Sequence, residues 1–397
     1  MASVEQSQRD GVRGDRLQPQ GRDLFIPVRG IPGDVRRPVD APAGLRGLRS
    51  SPPIRTAELS SLDEPAWESF VAYHPEATFF HELSWRDAVA RTFGHTPHYL
   101  AAMRGPAIVG VLPLFQVNSM LAGRLLLSMP YATYGGVLSA DDNAREPLLR
   151  HAKSLTRDLS ARCLELRSMQ AADTSLPVHA THATFIRALP EKVDEIETYL
   201  PRKARASARR AAEQNELSVE FGPHVLNEVW RLYARSMRRL GSPNYPLRFF
   251  EAIASAAPGR VLVQLVRCNG RPVASLVSFL HRRTVMPYFV GLDERVEVYG
   301  LSHYLYRESM RWGVANSFDT YDFGRSRIDN TGPFEFKRLC GFEPRLLSYQ
   351  RYIPEGGHAP DLSPASSRWA LARRLWRKLP IWATGPLGGW LAKSIPG

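Results

Sequence analysis

Residues 261–292 read VLVQLVRCNGRPVASLVSFLHRRTVMPYFVGL, which is three apolar runs separated by two short polar breaks. Asn269 and Gly270 form the first break, and Arg282 and Arg283 form the second. An Asn-Gly pair between apolar runs is a strong hairpin signal, because both residues tolerate the positive φ of a tight turn. The stretch therefore predicts three consecutive antiparallel strands.

Helical patterns surround strand patterns in the same order in both halves of the chain. In the second half, helical patterns over 224–240 and from Leu247 precede the three strands. A helix from Ser302 to about Asn316 follows them, before the strand DTYDFG. The first half shows two helices, several short apolar strands, a helix over 144–160 and the strand CLELRSM. The recurrence predicts an internal duplication and an α/β (α+β) fold of mixed, mostly antiparallel sheets with flanking helices.

The length of 397 residues exceeds one typical folded core and favours two domains. Residues 1–53 are rich in Arg, Pro and Gly and poor in periodic apolar residues, so we expect them to be disordered. The predicted plan is a disordered tail over 1–53, a first domain over 54–190, a basic helical linker over 191–216, a second domain over 217–354, and a basic, Trp-bearing amphipathic tail over 355–397.

The net charge of +13 is concentrated in three segments rather than spread over the chain. Both tails are basic, and residues 202–210 hold five cations and no acid. Local clusters of this kind predict contact with an anion. The N-terminal arginines alternate with acids and have almost no aromatic neighbours, so DNA binding is the least favoured interpretation.

The three cysteines, Cys163, Cys268 and Cys340, are far apart and show no CxxC spacing. A disulfide framework or zinc site is therefore not expected, and no metal is predicted. The N-terminus shows no secretory apolar region, and no run of about 18 apolar residues occurs. We expect a cytoplasmic protein in which Cys340 is buried rather than nucleophilic.

The segment DFGRS begins at Asp322 and places a carboxylate, a guanidinium and a hydroxyl around one glycine. Gly324 can turn the chain at the end of a strand, so Arg325 and Ser326 would emerge at its mouth. A guanidinium there suits a carboxylate or phosphate ligand. Pairing of Arg325 with Asp322 or another acid, as part of the scaffold, is equally compatible with the sequence.

Lys337 ends the segment FEFK, which begins at Phe334. If FEFK is a strand, Phe334 and Phe336 face one way and Glu335 and Lys337 face the other. A lysine at this position can support catalysis, but a solvated strand face is the simpler explanation from spacing alone.

A glycine precedes a predicted helix in MPYFVGLDERVEVYGLSHY, residues 286–304. Gly300 lets backbone amides approach an anion, Ser302 caps the helix, and the helix dipole favours negative charge at this end. A pyrophosphate or an RNA 3′ phosphate would suit the position, and an ordinary capped helix is the alternative. Tyr288 in the preceding strand and Tyr134 in PYATYGG are candidate lining residues of a substrate pocket.

Four stretches between about Arg55 and Ile353 resemble the FemAB-like branch of the GNAT-fold acyltransferases. The resemblance is strongest to members associated with exosortase (PEP-CTERM) exopolysaccharide systems, and it implies two tandem GNAT-like domains. The four stretches are PEATFFHELSWRDAVARTFGHTPHYLAA, GVLPLFQVNSMLAGRLLLSMPYATYGGVL, RLYARSMRRLGSPNYPLRFFEAI and DFGRSRIDNTGPFEFKRLCGFEP.

The resemblance implies an enzyme that moves an acyl or aminoacyl group to an amine or hydroxyl of a cell-envelope or exopolysaccharide precursor. In the aminoacyl-tRNA-dependent Fem ligases, a late Phe-Lys pair lies near the acyl group of the donor, and this pair maps onto Phe336 and Lys337. A cation such as Lys337 would stabilise the oxyanion of acyl transfer, while Asp322 would accept a proton.

The implied donor is an acyl-CoA or an aminoacyl-tRNA, with no tightly bound cofactor. The chain lacks the sustained heptads of a coiled-coil arm, which leaves tRNA in doubt and acyl-CoA as an open alternative. Five cations of one predicted helix would meet the phosphates of either donor, or would simply form a solvated face: Arg202, Lys203, Arg205, Arg209 and Arg210.

The C-terminal segment SSRWALARRLWRKLPIWATGPLGGWLAK interleaves tryptophans and leucines with arginines, which suits the surface of an anionic membrane. Residues 365–397 are therefore predicted to contact the inner membrane peripherally, and docking on the protein's own body is the alternative. A non-catalytic GNAT scaffold, acting as an accessory of a membrane-associated polysaccharide system, is the second functional hypothesis.

Overall fold

The computed structural model describes residues 52–357 and 370–394. The predicted disordered tail, residues 1–53, lies outside the described residues apart from its last two positions. The described part is organised around two mixed β-sheets with helices packed against them.

The strands of the described residues are numbered along the chain. They are β1 (Ile54–Glu58), β2 (Thr96–Arg104), β3 (Ala107–Ser119), β4 (Gly123–Leu127), β5 (Leu138–Ser139), β6 (Leu164–Ser168), β7 (Val178–His179), β8 (His182–Ala188), β9 (Leu217–Phe221), β10 (Val261–Cys268), β11 (Arg271–His281), β12 (Thr284–Leu292), β13 (Thr320–Asp322), β14 (Ser326–Arg327), β15 (Pro344–Leu346) and β16 (Ser348–Tyr352).

The helices are numbered in the same way. They are α1 (Glu64–Tyr73), α2 (Leu83–Phe93), α3 (Asp142–Asp158), α4 (Ile196–Tyr199), α5 (Arg202–Gln214), α6 (Leu226–Leu240), α7 (Leu247–Ala256), α8 (Leu301–Ala315), α9 (Thr331–Leu339), α10 (Ala370–Trp376) and α11 (Ile381–Ser394). Short 3₁₀ turns are Ser61–Asp63, Phe79–His81, Val193–Glu195 and Pro223–Val225.

The two sheets repeat one arrangement. The first runs β1-β2-β3-β4-β6-β16-β7, with β5 paired to β3. The second runs β9-β10-β11-β12-β13-β8, with β14 and β15 also paired to β8. Each sheet has one parallel pair, β4 with β6 and β12 with β13, and a helix, α3 or α8, makes the crossover between its strands. The predicted duplication and mixed α/β class are thus confirmed.

The three strands predicted from residues 261–292 are β10, β11 and β12. The turns that connect these strands lie at the two polar breaks, where Asn269, Gly270 and Arg282 all have positive φ. The antiparallel pairing of β10 with β11 and of β11 with β12 follows the order of the apolar runs. Local turn chemistry therefore defines the centre of the second sheet.

The two halves of the chain exchange one strand each. β8 leaves the first half to pair with β13, and β16 leaves the second half to pair with β6. The crossing points touch, since the amide of Leu347 donates to the carbonyl oxygen of His182 at 2.9 Å. The predicted domain bounds, 54–190 and 217–354, follow the order of the sequence. Each observed sheet, however, includes one strand from the other half of the chain.

A buried carboxylate fastens the exchanged strand β16 to β6. Glu165 accepts a hydrogen bond from Nε of Arg167 and another from Nε of Arg351, each at 2.8 Å. The side chains of Glu165 and Arg167 are each 4% exposed. Burial alone would raise the pKa of Glu165, but the charges of Arg167 and Arg351 outweigh it and lower the pKa to about 2.

Buried aromatic residues of the first half pack against the second sheet. Phe79 of the first half stacks on Phe279 of β11 with ring centroids 4.6 Å apart. The hydroxyl of Tyr288 in β12 donates to the carbonyl oxygen of Tyr131 at 2.6 Å. One continuous apolar core therefore spans both halves.

The segment FEFK is part of helix α9, so the strand suggested by its alternation is wrong. Pro333 stands in the first turn of the helix, where its missing N–H has no helical acceptor to lose. Phe334 packs edge-on against Phe185, while Phe336 contacts the ring of His303. The two phenylalanines therefore do not share a strand face.

The described part of the C-terminal tail docks on the body of the protein. The hydroxyl of Tyr131 donates to the carbonyl oxygen of Ala392 at 3.0 Å, and Arg238 donates to the carbonyl oxygen of Leu379 at 3.0 Å. This arrangement is the docking alternative that the sequence left open for residues 370–394.

We predict that Glu165→Gln lowers the free energy of unfolding at pH 7 by roughly 3 kcal/mol, because it leaves the buried Arg167 and the partly buried Arg351 without their carboxylate. The pKa of Glu165 is depressed from 4.5 to about 2, so its contribution is complete above pH 4.5 and is lost as the pH falls through about 2. Urea unfolding across this range measures the effect. Glu146→Gln, which removes an exposed partner of Arg150, is the control and should change stability by less than about 0.5 kcal/mol. An equal effect of both substitutions would contradict the prediction.

Candidate active site

Strands β12 and β13 separate soon after they meet. They pair at two positions only, Thr284 with Thr320 and Val285 with Tyr321, while β12 continues to Leu292. Over the described residues, the remaining edge of β12 on this side has no strand partner. The amide and carbonyl of Leu292 bond the hydroxyl of Ser236, and the edge before Leu292 is open to an extended ligand lying between the strands.

A cavity of about 360 Å³ lies where the end of β12 meets the start of helix α8. Gly300, Ser302 and His303 line it from the helix, and Phe336 lines it from α9. The structure therefore brings together three residues that the sequence singled out separately: Gly300, Ser302 and Phe336. First-turn amides of a helix point out of its N-terminus and favour an anion.

Both the backbone conformation at position 300 and the close approach of a neighbouring helix require glycine there. Its φ is +79°, and a Cβ at this position would lie 2.1 Å from the backbone oxygen of Ser207 in α5. Helices α5 and α8 therefore touch through backbone atoms beside the cavity. Arg210 of α5 stacks over the ring of Tyr299, with its guanidinium carbon 4.8 Å from the ring centre.

The remaining cations of α5 face solvent, because Ala204, Ala208 and Ala211 form the side of the helix that is buried. Arg202, Lys203, Arg209 and Arg210 are exposed, and Arg205 is half-buried and donates to the carbonyl oxygen of Glu197. The solvated face that the sequence allowed is therefore present, next to the cavity mouth at Gly300.

Lys337 reaches the turn that follows β13. Its Nζ donates to the carbonyl oxygen of Gly324 at 2.9 Å and to that of Arg325 at 3.0 Å. Burial lowers the pKa of the ammonium from 10.5 to about 7, with Asp322 opposing the change and Arg325 adding to it. Lys337 is thus a cation that can lose its proton near neutral pH.

Asp322 is buried behind this turn, at 3% exposure. Its Oδ1 accepts from the hydroxyl of Thr184 at 3.2 Å and from the amide of Gly324 at 2.9 Å. Burial raises the pKa of the carboxyl to about 7, while the Gly324 amide and Lys337 oppose the rise. Oδ2 accepts no hydrogen bond from any residue in 52–357 or 370–394, so it can take a proton.

The turn at residues 324–325 abuts the open edge of β12. A Cβ on Gly324 would lie 3.8 Å from the carbonyl oxygen of Pro287. Phe336 lines the cavity, and the next residue along α9, Lys337, binds this turn. Lys337, Asp322 and Arg325 lie beside the cavity rather than in its lining.

Arg325 and Ser326 diverge from one another. The guanidinium of Arg325 donates to the hydroxyl of Tyr349 at 2.8 Å, and Tyr349 donates in turn to the carbonyl oxygen of Thr133. Ser326 is 7% exposed, and its hydroxyl has no partner in the part of the chain that the structure describes. The predicted pairing of Arg325 with Asp322 as scaffold is not observed.

The two candidate tyrosines occupy different places. Tyr288 lies in β12 and bonds to the first half through the carbonyl oxygen of Tyr131. Tyr134 lines a separate cavity of about 70 Å³ in the first half, together with His81 and Ser168. Tyr134 therefore does not join the residues around Lys337.

The residues that sequence reasoning missed lie on the exchanged strands. Tyr349 of β16 holds Arg325, and His182 of β8 lies against the same ring at a centroid distance of 5.2 Å. Arg167 of β6 places its guanidinium carbon 6.0 Å from the Tyr349 ring centre. No local signal marks these residues, because only pairing between distant strands brings them to the site.

Cys340 is buried, and burial raises the pKa of its thiol to about 12, which fits the predicted structural role. The histidines in the first half have structural partners. His81 contacts the carbonyl oxygen of Gly136 at 3.1 Å, and His95 contacts the hydroxyl of Tyr131 at 2.7 Å.

Comparison with known proteins supports the fold. Residues 201–338 match the family model described as an acetyltransferase (GNAT) domain. No curated protein sequence is similar enough to the chain to count as a relative. The structure is similar to the crystal structure of FemX, with 14% identity and a TM-score of 0.59 over 75% of this chain and 97% of that one.

Two further structures share the fold at similar distance. One is the C-terminal domain (DUF2156) of a putative lysylphosphatidylglycerol synthetase from Agrobacterium fabrum, with 12% identity and a TM-score of 0.50 over 79% of this chain and 94% of that one. The other is a tandem GNAT protein from the clavulanic acid biosynthesis pathway, with 12% identity and a TM-score of 0.50 over 77% and 100%. The second half of the chain thus carries a GNAT acetyltransferase domain, and the described part of the chain has the predicted tandem GNAT-like fold.

We predict that Lys337 titrates near pH 7 and that its neighbours move its pKa in opposite directions. Asp322→Asn removes a charge that favours the ammonium and should lower the pKa, while Arg325→Gln removes a repelling charge and should raise it. NMR of isotopically methylated lysines, titrated from pH 5 to pH 10, measures the shifts. Asp319→Asn, at an exposed ion pair with Arg283, is the control and should leave the Lys337 titration unchanged. A Lys337 midpoint near its ordinary value of 10.5 would refute this account of the site.

Proposed function

We propose that this protein is an acyltransferase that moves an acyl or aminoacyl group from a CoA or tRNA donor to an amine or hydroxyl of a cell-envelope or exopolysaccharide precursor. One observation carries the proposal. The open edge of β12 runs from the cavity at Gly300 to the turn that Lys337 binds, within the segment that matches a GNAT domain. A donor lying along this edge would present its acyl carbonyl to Lys337.

The donor's phosphates are proposed to bind at the start of α8. Asp293 and Glu294 line the cavity, but each is paired with an arginine, Arg295 or Arg239. The first turn of α8 lines the cavity at Ser302 and His303, and helix α5, which carries exposed cations, contacts Gly300 beside it. Both features favour a phosphorylated donor and fit acyl-CoA and aminoacyl-tRNA alike. Helix α5 ends at Gln214, which is too short for a coiled-coil arm, so the case for acyl-CoA is the simpler one.

Lys337 is proposed to stabilise the transition state. When the amine of the acceptor attacks the acyl carbonyl, a C–N bond forms and the carbonyl oxygen becomes negative. Two of the three N–H bonds of the Lys337 ammonium are used by the carbonyl oxygens of Gly324 and Arg325, which leaves one for this oxygen. Its fixed position means that little reorganisation is needed.

Asp322 is proposed to receive the proton that the amine loses. Its raised pKa of about 7 suits a base that must gain and release a proton at neutral pH. As the tetrahedral intermediate collapses, the bond from carbon to the donor's sulfur or oxygen breaks. The proton then passes to that leaving group, so the site returns to its starting charge.

We predict that Lys337→Met lowers kcat by at least about 100-fold, because it removes a donor aimed at developing charge, while the affinity for the donor changes little. Turnover with acyl-CoA or charged tRNA, combined with calorimetric binding of the same donor, separates the two effects. Lys192→Met, at an exposed position, is the matched control and should retain full activity.

Two outcomes would count against this function. If the purified protein binds neither acyl-CoA nor charged tRNA, the transferase assignment fails. If Lys337→Met complements fully in cells that require the protein, the non-catalytic accessory role becomes the better explanation. The association with exosortase systems is part of this proposal and is supported by the resemblance of the four sequence stretches.

We also propose that the tail contacts an anionic membrane peripherally. No helix within 52–357 or 370–394 is long and apolar enough to cross a bilayer. Although the tail docks on the protein, its outer surface keeps Leu375, Leu387 and Trp390 exposed. Arg377 and Lys378 are exposed beside them, and this mixture suits an interface of anionic lipids.

We predict that Leu387→Ser combined with Trp390→Ser weakens co-sedimentation with anionic liposomes several-fold, because these side chains are exposed and their removal spares the docked face. Thermal unfolding checks that the fold is retained. Leu62→Ser together with Tyr73→Ser, two exposed apolar residues of the first half, should leave binding unchanged. Unaltered sedimentation of the tail variant would reject the membrane contact.

A further inference from the structure

Arg325 carries a positive charge that no neighbouring carboxylate balances. The residue is partly buried, and its guanidinium donates to the neutral hydroxyl of Tyr349 at 2.8 Å. Across the described residues it takes part in no ion pair, whereas Arg327 is held by both oxygens of Asp329. A guanidinium withdrawn from water without a counter-ion is costly, so its retention calls for a ligand.

The residues around Arg325 come from both halves of the chain and leave it partly exposed between them. Tyr349 belongs to β16, His182 to β8 and Tyr288 to β12, and all three lie close enough to stack on, bond to or feel the charge of Arg325. Tyr288 is only partly buried, as is His182, so solvent reaches both. Arg325 is itself partly exposed, so a small group from solvent can approach this cluster of residues.

The electrostatic environment of this cluster is positive. Burial lowers the pKa of His182 to about 3, and the charges of Arg325, Arg327 and Arg167 lower it further. The imidazole is consequently neutral and does not add to the charge. Burial is the largest cause of this shift; the arginines add to it and Glu165 opposes them, so the arginines disfavour another cation and favour an anion.

The position of Arg325 identifies which substrate the anion belongs to. Lys337, the proposed oxyanion-stabilising residue, donates to the carbonyl oxygen of Arg325 itself. The charge of the guanidinium also acts on Lys337 and lowers its pKa, so an anion on Arg325 would lie near Lys337. It is also separate from the cavity at the start of α8, whose lining residues do not include Arg325.

We infer that Arg325 binds an anionic group of the acceptor, a carboxylate or a phosphate, and so orients the attacking amine or hydroxyl toward Lys337. This inference rests on the proposed function, because it assigns the cluster around Arg325 to the acceptor and the α8 cavity to the donor. A planar guanidinium offers two parallel donors, which match the oxygens of either anion. Tyr349 holds the guanidinium in place for that contact.

The binding test uses the full-length protein and follows thermal unfolding at constant ionic strength. Chloride is replaced by phosphate in one series and by acetate in another. Binding should raise the Tm of the wild type by on the order of 2 °C in at least one series. Arg325→Met should abolish this rise, whereas Arg283→Gln, which removes an exposed arginine paired with Asp319, should keep it. The larger rise identifies the anion as phosphate or carboxylate.

Phosphate also stabilises proteins without binding, so the comparison of variants decides the result. A rise of equal size in Arg325→Met and the wild type would overturn the inference, as would the absence of a rise in both series. If Arg325→Met fails to fold, Arg325→Gln, which keeps a donor for Tyr349, carries the same comparison.

A final arm separates this inference from the proposed function. The series is repeated with saturating acyl-CoA or charged tRNA. An Arg325-dependent rise that persists assigns the anion site to the acceptor, and loss of the rise assigns it to the donor and overturns the inference. If the protein binds neither donor but keeps the rise, the proposed function fails while the anion site stands.

Discussion

The exchange of β8 and β16 is the constraint on which the site depends. Each sheet is completed by a strand from the other half, and Glu165 ties β16 to β6 through two arginines. A buried carboxylate shared in this way holds its partners in one geometry, because any displacement leaves a charge unpaired. The residues around Arg325 thus come from both halves and are held in a fixed relation to the cavity at α8.

The gap between the two parallel strands is filled in the first half of the chain and open in the second. In the first, the chain after β4 fills the gap between the parallel strands, since the amide of Gly135 donates to the carbonyl oxygen of Arg167 and Met129 and Thr133 are at most 1% exposed. Gly136 permits this packing, because a Cβ there would lie 2.0 Å from Oγ of Ser168. In the second half the corresponding gap remains open along β12. Among the described residues, the duplication therefore leaves this gap open in the second half, where we propose that the donor binds.

The sequence predicted those turns and helix starts that are determined by residues close together in the chain. The hairpins of residues 261–292, the helix that begins beside Gly300 and the break at Pro201 before α5 follow from local turn residues. The predicted cap at Ser302 is wrong, because Gly300 is the N-cap of α8 and Ser302 lies inside the helix. The alternation in FEFK was misleading, because Pro333 can open a helix and the two phenylalanines then pack on different partners. The contact of Tyr349 with Arg325 was not predictable, since it arises from pairing between strands far apart in the chain.

Lys337 and Asp322 influence each other's pKa, and this limits how protons can move in the site. Burial disfavours the charge of each, which brings both pKa values to about 7, while their attraction favours the charged pair. Because each group favours the charged form of the other, their protons leave in steps that belong to the pair rather than to either residue. A site of this kind can accept the proton of an attacking amine while a hydrogen-bond donor still faces the oxyanion. The positive charge that persists throughout is that of Arg325, because a guanidinium does not titrate in this range. Substrate orientation by Arg325 and proton movement at Lys337 and Asp322 are therefore separate tasks, carried by adjacent residues of one turn and one helix.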